Sequence, residues 1–144
     1  MKLKKKIKIL ILSLCFCTMF SSSIIFAANH DFYFTFDSKD SSQVQAAYYQ
    51  KSDNEQKWYI TIDEYYKNTT TKNTMSSSNV FACTMRRRYN DNVDRWHTFS
   101  NYVSSYGIDY ATKVSQYDEM RIEGKKDSTS SSTSQLRVSG RFAP

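Results

Sequence analysis

HDFYFTFDSKD, residues 30–40, sets Phe32, Phe34 and Phe36 at every second position, with Tyr33, Thr35 and Asp37 between them. Successive side chains of an extended strand point to opposite faces. The three phenylalanines therefore share one face, and the other carries polar and amphipathic groups. Such a stretch predicts a strand with one dry and one wet surface. The same alternation recurs along the chain. KWYITID (57–63) aligns Trp58, Ile60 and Ile62; NVFACTMRR (79–87) aligns Phe81, Cys83 and Met85. EMRIEGK (119–125) brings Met120 and Ile122 together. QLRVSGRF (135–142) aligns Leu136, Val138, Gly140 and Phe142 and sends Arg137, Ser139 and Arg141 outward. Five half-wet strands predict antiparallel sheets around a shared core. The expected fold is all-β, a small antiparallel β-sandwich of about six or seven strands.

Composition points the same way. After residue 27, Leu136 is the only leucine, while the rings number eleven Tyr, six Phe, and Trp58 and Trp96. Aromatic and β-branched residues suit a pleated, half-buried surface, and a chain poor in Leu and Ala is a weak helix former.

The start of the chain reads differently. Lys2, Lys4, Lys5, Lys6 and Lys8 precede and enter an apolar run from Ile7 to Phe20, followed by Ser21–Ser23 and a short apolar stretch ending in Ala27-Ala28. This is the layout of a secretory signal peptide, expected as a helical leader over 1–27 with cleavage after Ala27. Leu14 and Phe16 precede Cys15 and Cys17, where a lipobox places a small residue, so lipidation is not expected. Five of the 20 basic residues lie in this leader and none of the 14 acidic ones does, leaving fifteen against fourteen and a net charge of +1. The overall charge of +6 is thus a feature of the leader, and the sustained basic face of a nucleic-acid binder is not expected. Cys83 alone remains beyond the leader, so no internal disulfide is expected and the core must carry the fold.

Three segments are open. QVQAAYYQ (43–50) fits a strand through Val44, Ala46 and Tyr48 better than a helical turn. Residues 93–103 fit a helix with Val93, Trp96, Phe99 and Val103 on one face, and equally a strand through His97, Phe99, Asn101 and Val103. DYATKVSQ (109–116) spaces Tyr110 and Val114 for a short helical turn. Polar runs mark connections at 52–56, 67–78 and 126–134, the last two expected to be mobile loops of a single domain over 28–144.

YDEMRIEGKK, a polar loop, and the closing LRVSGRFAP resemble the terminal hairpin of small exported proteins of Gram-positive bacteria. Those families have no assigned activity, and the resemblance implies a β-sandwich. A leader followed by a Tyr-, Ser- and Asn-rich β domain is also similar in layout to lactococcin-type bacteriocins. The chain departs from them in its three glycines, Gly107, Gly124 and Gly140, and in its Phe142-Ala143-Pro144 end. No catalytic residue follows from either resemblance.

Four groups of residues offer chemistry. Cys83, His97 and Asp91 or Asp94 contain the parts of a thiol nucleophile, base and orienter, against a Cys83 that alternates with Phe81 and Met85 on a core face. NDNVD (90–94) spaces oxygen ligands as a calcium loop does, but without the turn glycine or the distant glutamate. Arg86-Arg87-Arg88 offers guanidiniums to phosphate or an anionic wall polymer. Tyr33, Tyr49, Tyr59, Tyr65, Tyr66 and Tyr89 fall on wet faces or in loops, where rings stack on sugars or anchor interfaces. The contacts expected are Arg86, Arg88, Tyr33, Tyr59 and Tyr65, with no catalytic residue, metal or cofactor. The function expected is that of a secreted, non-enzymatic binding protein of the cell envelope or extracellular space. Its partner would be a wall polymer or another exported protein, with membrane contact only through the leader during export. The alternative is a bacteriocin-like antimicrobial.

Overall fold

The computed structural model describes residues 28–39, 41–45, 47–63, 74–89 and 93–144. Residues 1–27, where a leader is expected, most of the connection over 67–78, and Tyr65, Tyr66 and Asp91 lie outside the described residues. Among the described residues there is no helix, and nine strands form two antiparallel sheets: β1 (His30–Phe36), β2 (Ser42–Val44), β3 (Tyr49–Gln50), β4 (Lys57–Asp63), β5 (Phe81–Arg87), β6 (His97–Phe99), β7 (Val103–Asp109), β8 (Glu119–Lys126) and β9 (Leu136–Ala143). One sheet runs β1-β9-β4-β7; the other runs β2-β8-β5-β6, with β3 paired to β8 beside β2.

The row of phenylalanines does what its spacing dictates. Phe32, Phe34 and Phe36 are buried, and their rings meet Phe81 of the opposite sheet, each with a centroid separation of 6.2 Å. Gly124 on β8 supplies the room, since a Cβ there would lie 2.8 Å from ring atoms of both Phe34 and Phe81. Trp58, Ile60, Ile62, Met85, Met120, Ile122, Leu136, Val138 and Phe142 complete the cluster between the sheets. Each large apolar side chain so buried stabilises the fold by about 1.5–3 kcal/mol. The registers put every inward residue opposite another: Phe34 faces Val138, and Ile60 faces Phe142.

The open segments resolve as strand and turn. QVQAAYYQ is strand at both ends, β2 and β3, but its core side is not the expected one. Val44 is exposed, while Tyr49 stacks on His30 at 3.6 Å and packs against the core. Residues 93–103 hold β6 and the start of β7, and 109–116 contains no helical turn. Tyr110 and Val114 nevertheless pack on the core from this irregular stretch. The strand β7 was not expected. It contains a bulge: Ile60 pairs with Tyr106 but Ile62 pairs with Val103, and Ser105 sits in the left-handed region at φ 48°.

Two side chains tie the sheets together at one seam. Gln43 of β2 donates through Nε2 to the carbonyl of Thr35 at 2.5 Å and accepts the Thr35 N–H through Oε1 at 3.2 Å. Gln45 Nε2 donates to the carbonyl of Asp31 at 3.2 Å. The β8–β9 connection is also held down. Ser130 Oγ accepts the N–H of Val80 at 2.9 Å, and the Ser132 N–H donates to Ser78 at 2.7 Å.

Candidate functional site

The expected contact residues are dispersed rather than gathered. Arg86 pairs with Glu123, Arg87 with Asp118 at 3.1 Å, and Arg88 with Glu119 at 2.8 Å. Each guanidinium thus already holds a carboxylate of its own chain, which largely cancels the charge a phosphate would seek. Tyr48 lies over the Arg88 and Arg121 guanidiniums at 5.6 and 4.6 Å. Tyr33 stands half-exposed opposite Ser139, on the outer face of the first sheet. Tyr59 packs over Gly107, whose absent Cβ would lie 3.0 Å from the ring. Its hydroxyl donates to Glu55 at 2.8 Å, a bond that raises its pKa, with burial adding to the effect. Tyr65 lies outside the described residues.

The structure does bring together three residues of the catalytic alternative. Cys83 and His97 are cross-strand partners of β5 and β6, so their side chains share the inner face. Asp94, whose carboxylate is fully shielded from solvent, accepts the Trp58 indole N–H at 2.7 Å, and the same oxygen lies 3.1 Å from His97 Nε2. That contact assigns a proton to Nε2 and fixes the ring's orientation. The Trp58 and His97 rings meet edge to face at 6.2 Å. The Asp94 backbone is itself held, its carbonyl accepting Thr84 Oγ1 at 3.3 Å.

This geometry orients an imidazole but does not activate a thiol. Cys83 is completely buried, and burial first, then the Asp94 charge, push its thiol pKa well above the ordinary range. A thiol nucleophile needs the opposite, a positive and partly exposed setting that favours thiolate. Asp94 is likewise committed to the indole and imidazole rather than to a cation. Among the described residues, no three His, Cys, Asp or Glu side chains gather to hold a metal.

What the Asp94–His97 pair does reach is solvent. The imidazole lines an opening of about 210 Å³ between β6 and β7, the edge strands on this side of the sandwich, together with Arg95, Tyr106, Gly107, Ile108 and Asp109. Tyr106 pairs with the inward-facing Ile60, yet its ring is half-exposed, since among the described residues β7 is the last strand of its sheet, and it packs edge-on against Phe99 at 5.9 Å. The mouth therefore presents one open ring, one oriented imidazole, a guanidinium and a carboxylate. Arg95, Tyr106 and Asp109 were not expected. The signal for the first was the charged and aromatic density of DRWH, between strands.

Replacing Asp94 with alanine leaves the buried Trp58 indole N–H without its acceptor. Such an orphaned donor costs about 1–3 kcal/mol, and Asp94→Asn, which retains a carbonyl oxygen, should cost less. Thermal melts check the order, with an alanine variant as stable as wild type excluding the bond. Comparison with known proteins gives no match: no family model, curated protein or solved structure is significantly similar to this chain.

Proposed function

We propose that the chain is an exported, non-enzymatic binding protein of the cell envelope or extracellular space, and that it takes a polar ligand such as a wall-polymer segment at the β6–β7 mouth. The observation that carries this reading is Tyr106. It is an inner-face ring left half-exposed at a gap in the sandwich, beside His97 and Arg95. A flat apolar ring flanked by hydrogen-bonding groups suits a sugar, which offers an apolar face and a rim of hydroxyls. The Trp58–Asp94–His97 bonds hold the imidazole in place before any ligand arrives, which lowers the ordering cost of binding. Export is supported by the basic and apolar layout of residues 1–27. The buried, protonated setting of Cys83 supports binding over thiol catalysis.

Co-sedimentation with purified cell walls tests the reading. Tyr106→Ala should weaken retention about three- to tenfold, corresponding to roughly 0.5–1.5 kcal/mol for a lost ring contact. Equal retention of the two proteins would exclude the mouth as the contact surface. Killing of related strains by purified protein that does not sediment with walls would favour the antimicrobial alternative.

A further inference from the structure

We propose that a second cavity, between the β1–β2 turn and the β8–β9 connection, binds a phosphate-class oxyanion, either free or as the phosphodiester of a polymer. It stands independently of the β6–β7 mouth. The cavity measures about 230 Å³ and is lined by Asp37, Ser38, Lys39, Lys126, Ser132 and Thr133.

The decisive residue is Lys126. Its side chain is 1 % exposed. Nζ donates to two backbone carbonyls, Ser132 at 2.9 Å and Ser134 at 2.5 Å. An ammonium has three N–H donors, so one remains. Carbonyl oxygens supply partial charge but no counter-charge, and buried charges are as a rule paired. Among the described residues no carboxylate lies within ion-pair distance of this ammonium. Asp127 Oδ1 instead accepts the N–H and Oγ1 of Thr129, and Asp37 Oδ1 accepts Gln135 Nε2. Among the described residues, the charge that acts on Lys126 is positive. Burial, and then Lys39, lower its pKa.

The contrast with the other buried lysine sharpens the point. Lys51, also fully buried, holds Asp53 at 2.7 Å. Arg86, Arg87 and Arg88 each hold a carboxylate too. Among the described residues, the cavity at Lys126 instead sets two ammoniums against the one carboxylate of Asp37. Hydroxyls complete the wall. Ser132 Oγ accepts the Ser134 N–H at 3.1 Å, leaving its own hydrogen to donate. An oxyanion here supplies the missing counter-charge and accepts from the third Lys126 N–H, Lys39 and the hydroxyls.

The test titrates purified protein with inorganic phosphate at constant ionic strength, balanced with chloride, following melting temperature and phosphorus NMR line width. Phosphate should raise the melting temperature with the logarithm of its concentration once above the dissociation constant, as expected for a ligand bound only by the folded state. Lys126→Met should weaken phosphate binding by about tenfold or more, the scale of a lost charge-assisted bond. Lys39→Ala removes an exposed side chain, keeps the core, and should weaken binding severalfold. Equal melting temperatures in phosphate and chloride, or wild-type phosphate binding by Lys39→Ala, would overturn the site. A second titration with a glycerol phosphodiester separates the sources. Tighter binding of the diester identifies a polymer phosphate, and tighter binding of inorganic phosphate identifies the free ion.

Discussion

Phe34→Asp abolishes the cooperative thermal transition. Phe34 is 2 % exposed, with Phe32 and Phe36 at 5.4 and 5.7 Å on its own strand and Phe81 at 6.2 Å across the core. Losing a buried phenylalanine side chain alone costs about 3–5 kcal/mol. The carboxylate that replaces it faces rings and the hydrogen-only face of Gly124. It must either be buried unpaired or take up a proton, and each adds further cost. Small domains are stable by only about 5–15 kcal/mol, so the sum removes most or all of the folding free energy. Near-ultraviolet circular dichroism across a thermal ramp checks it. A sharp transition within a few degrees of wild type would mean that Phe34 does not face the core.

Gly140→Ala has the second largest effect, though it adds a single methyl group. Gly140 lies on β9 between Phe32 of β1 and Ile62 of β4, on the side that faces the core. A Cβ there would lie 2.0 Å from the Thr61 carbonyl oxygen and 3.0 Å from Phe32 Cζ. A ring can turn aside. A backbone oxygen in a paired strand cannot move without dragging β4 off β9. Overpacking a core costs about 1–3 kcal/mol, more where backbone must shift, and the upper end or beyond is expected here. At roughly 4–8 °C per kcal/mol for a small domain, the melting temperature should fall by at least about 10 °C. Gly107→Ala is the internal control. Its nearest contact is the outer-face ring of Tyr59 at 3.0 Å, and it should cost far less. Equal losses in the two variants would exclude the backbone clash as the cause.

The all-β class and most core positions were legible because period-two alternation is a direct consequence of strand geometry. Phe32, Phe34, Phe36, Trp58, Ile60, Ile62, Phe81, Met85, Ile122, Leu136 and Val138 are all buried. Strand β7 was illegible for an identifiable reason. The bulge places Val103 and Tyr106 on the same side although they are three residues apart, a spacing that mimics a helical face. Since β7 forms one wall of the β6–β7 mouth, missing it also hid Tyr106 and Asp109. The segment over 43–50 misled differently. Tyr49 and not Val44 goes inward, because pairing with β8 sets the face: Val44 lies opposite Glu123, whereas Gln43 and Tyr49 lie opposite Gly124 and Met120 on the core side. The pairing of Arg86, Arg87 and Arg88 with Glu123, Asp118 and Glu119 is a long-range property of β5 lying beside β8, and no local pattern announces it. That no described carboxylate pairs with Lys126 is equally a matter of tertiary placement.

The glutamines on β2 bear on how this molecule lives at high concentration. A border strand such as β1 ordinarily offers a ladder of open amide groups to any neighbouring chain, the first step towards fibres. The carboxamide of Gln43 carries a donor and an acceptor side by side, so it satisfies the Thr35 peptide as a visiting strand would. Together with Gln45 on the Asp31 carbonyl, these side chains occupy edge groups that an added strand would need, without lengthening the sheet.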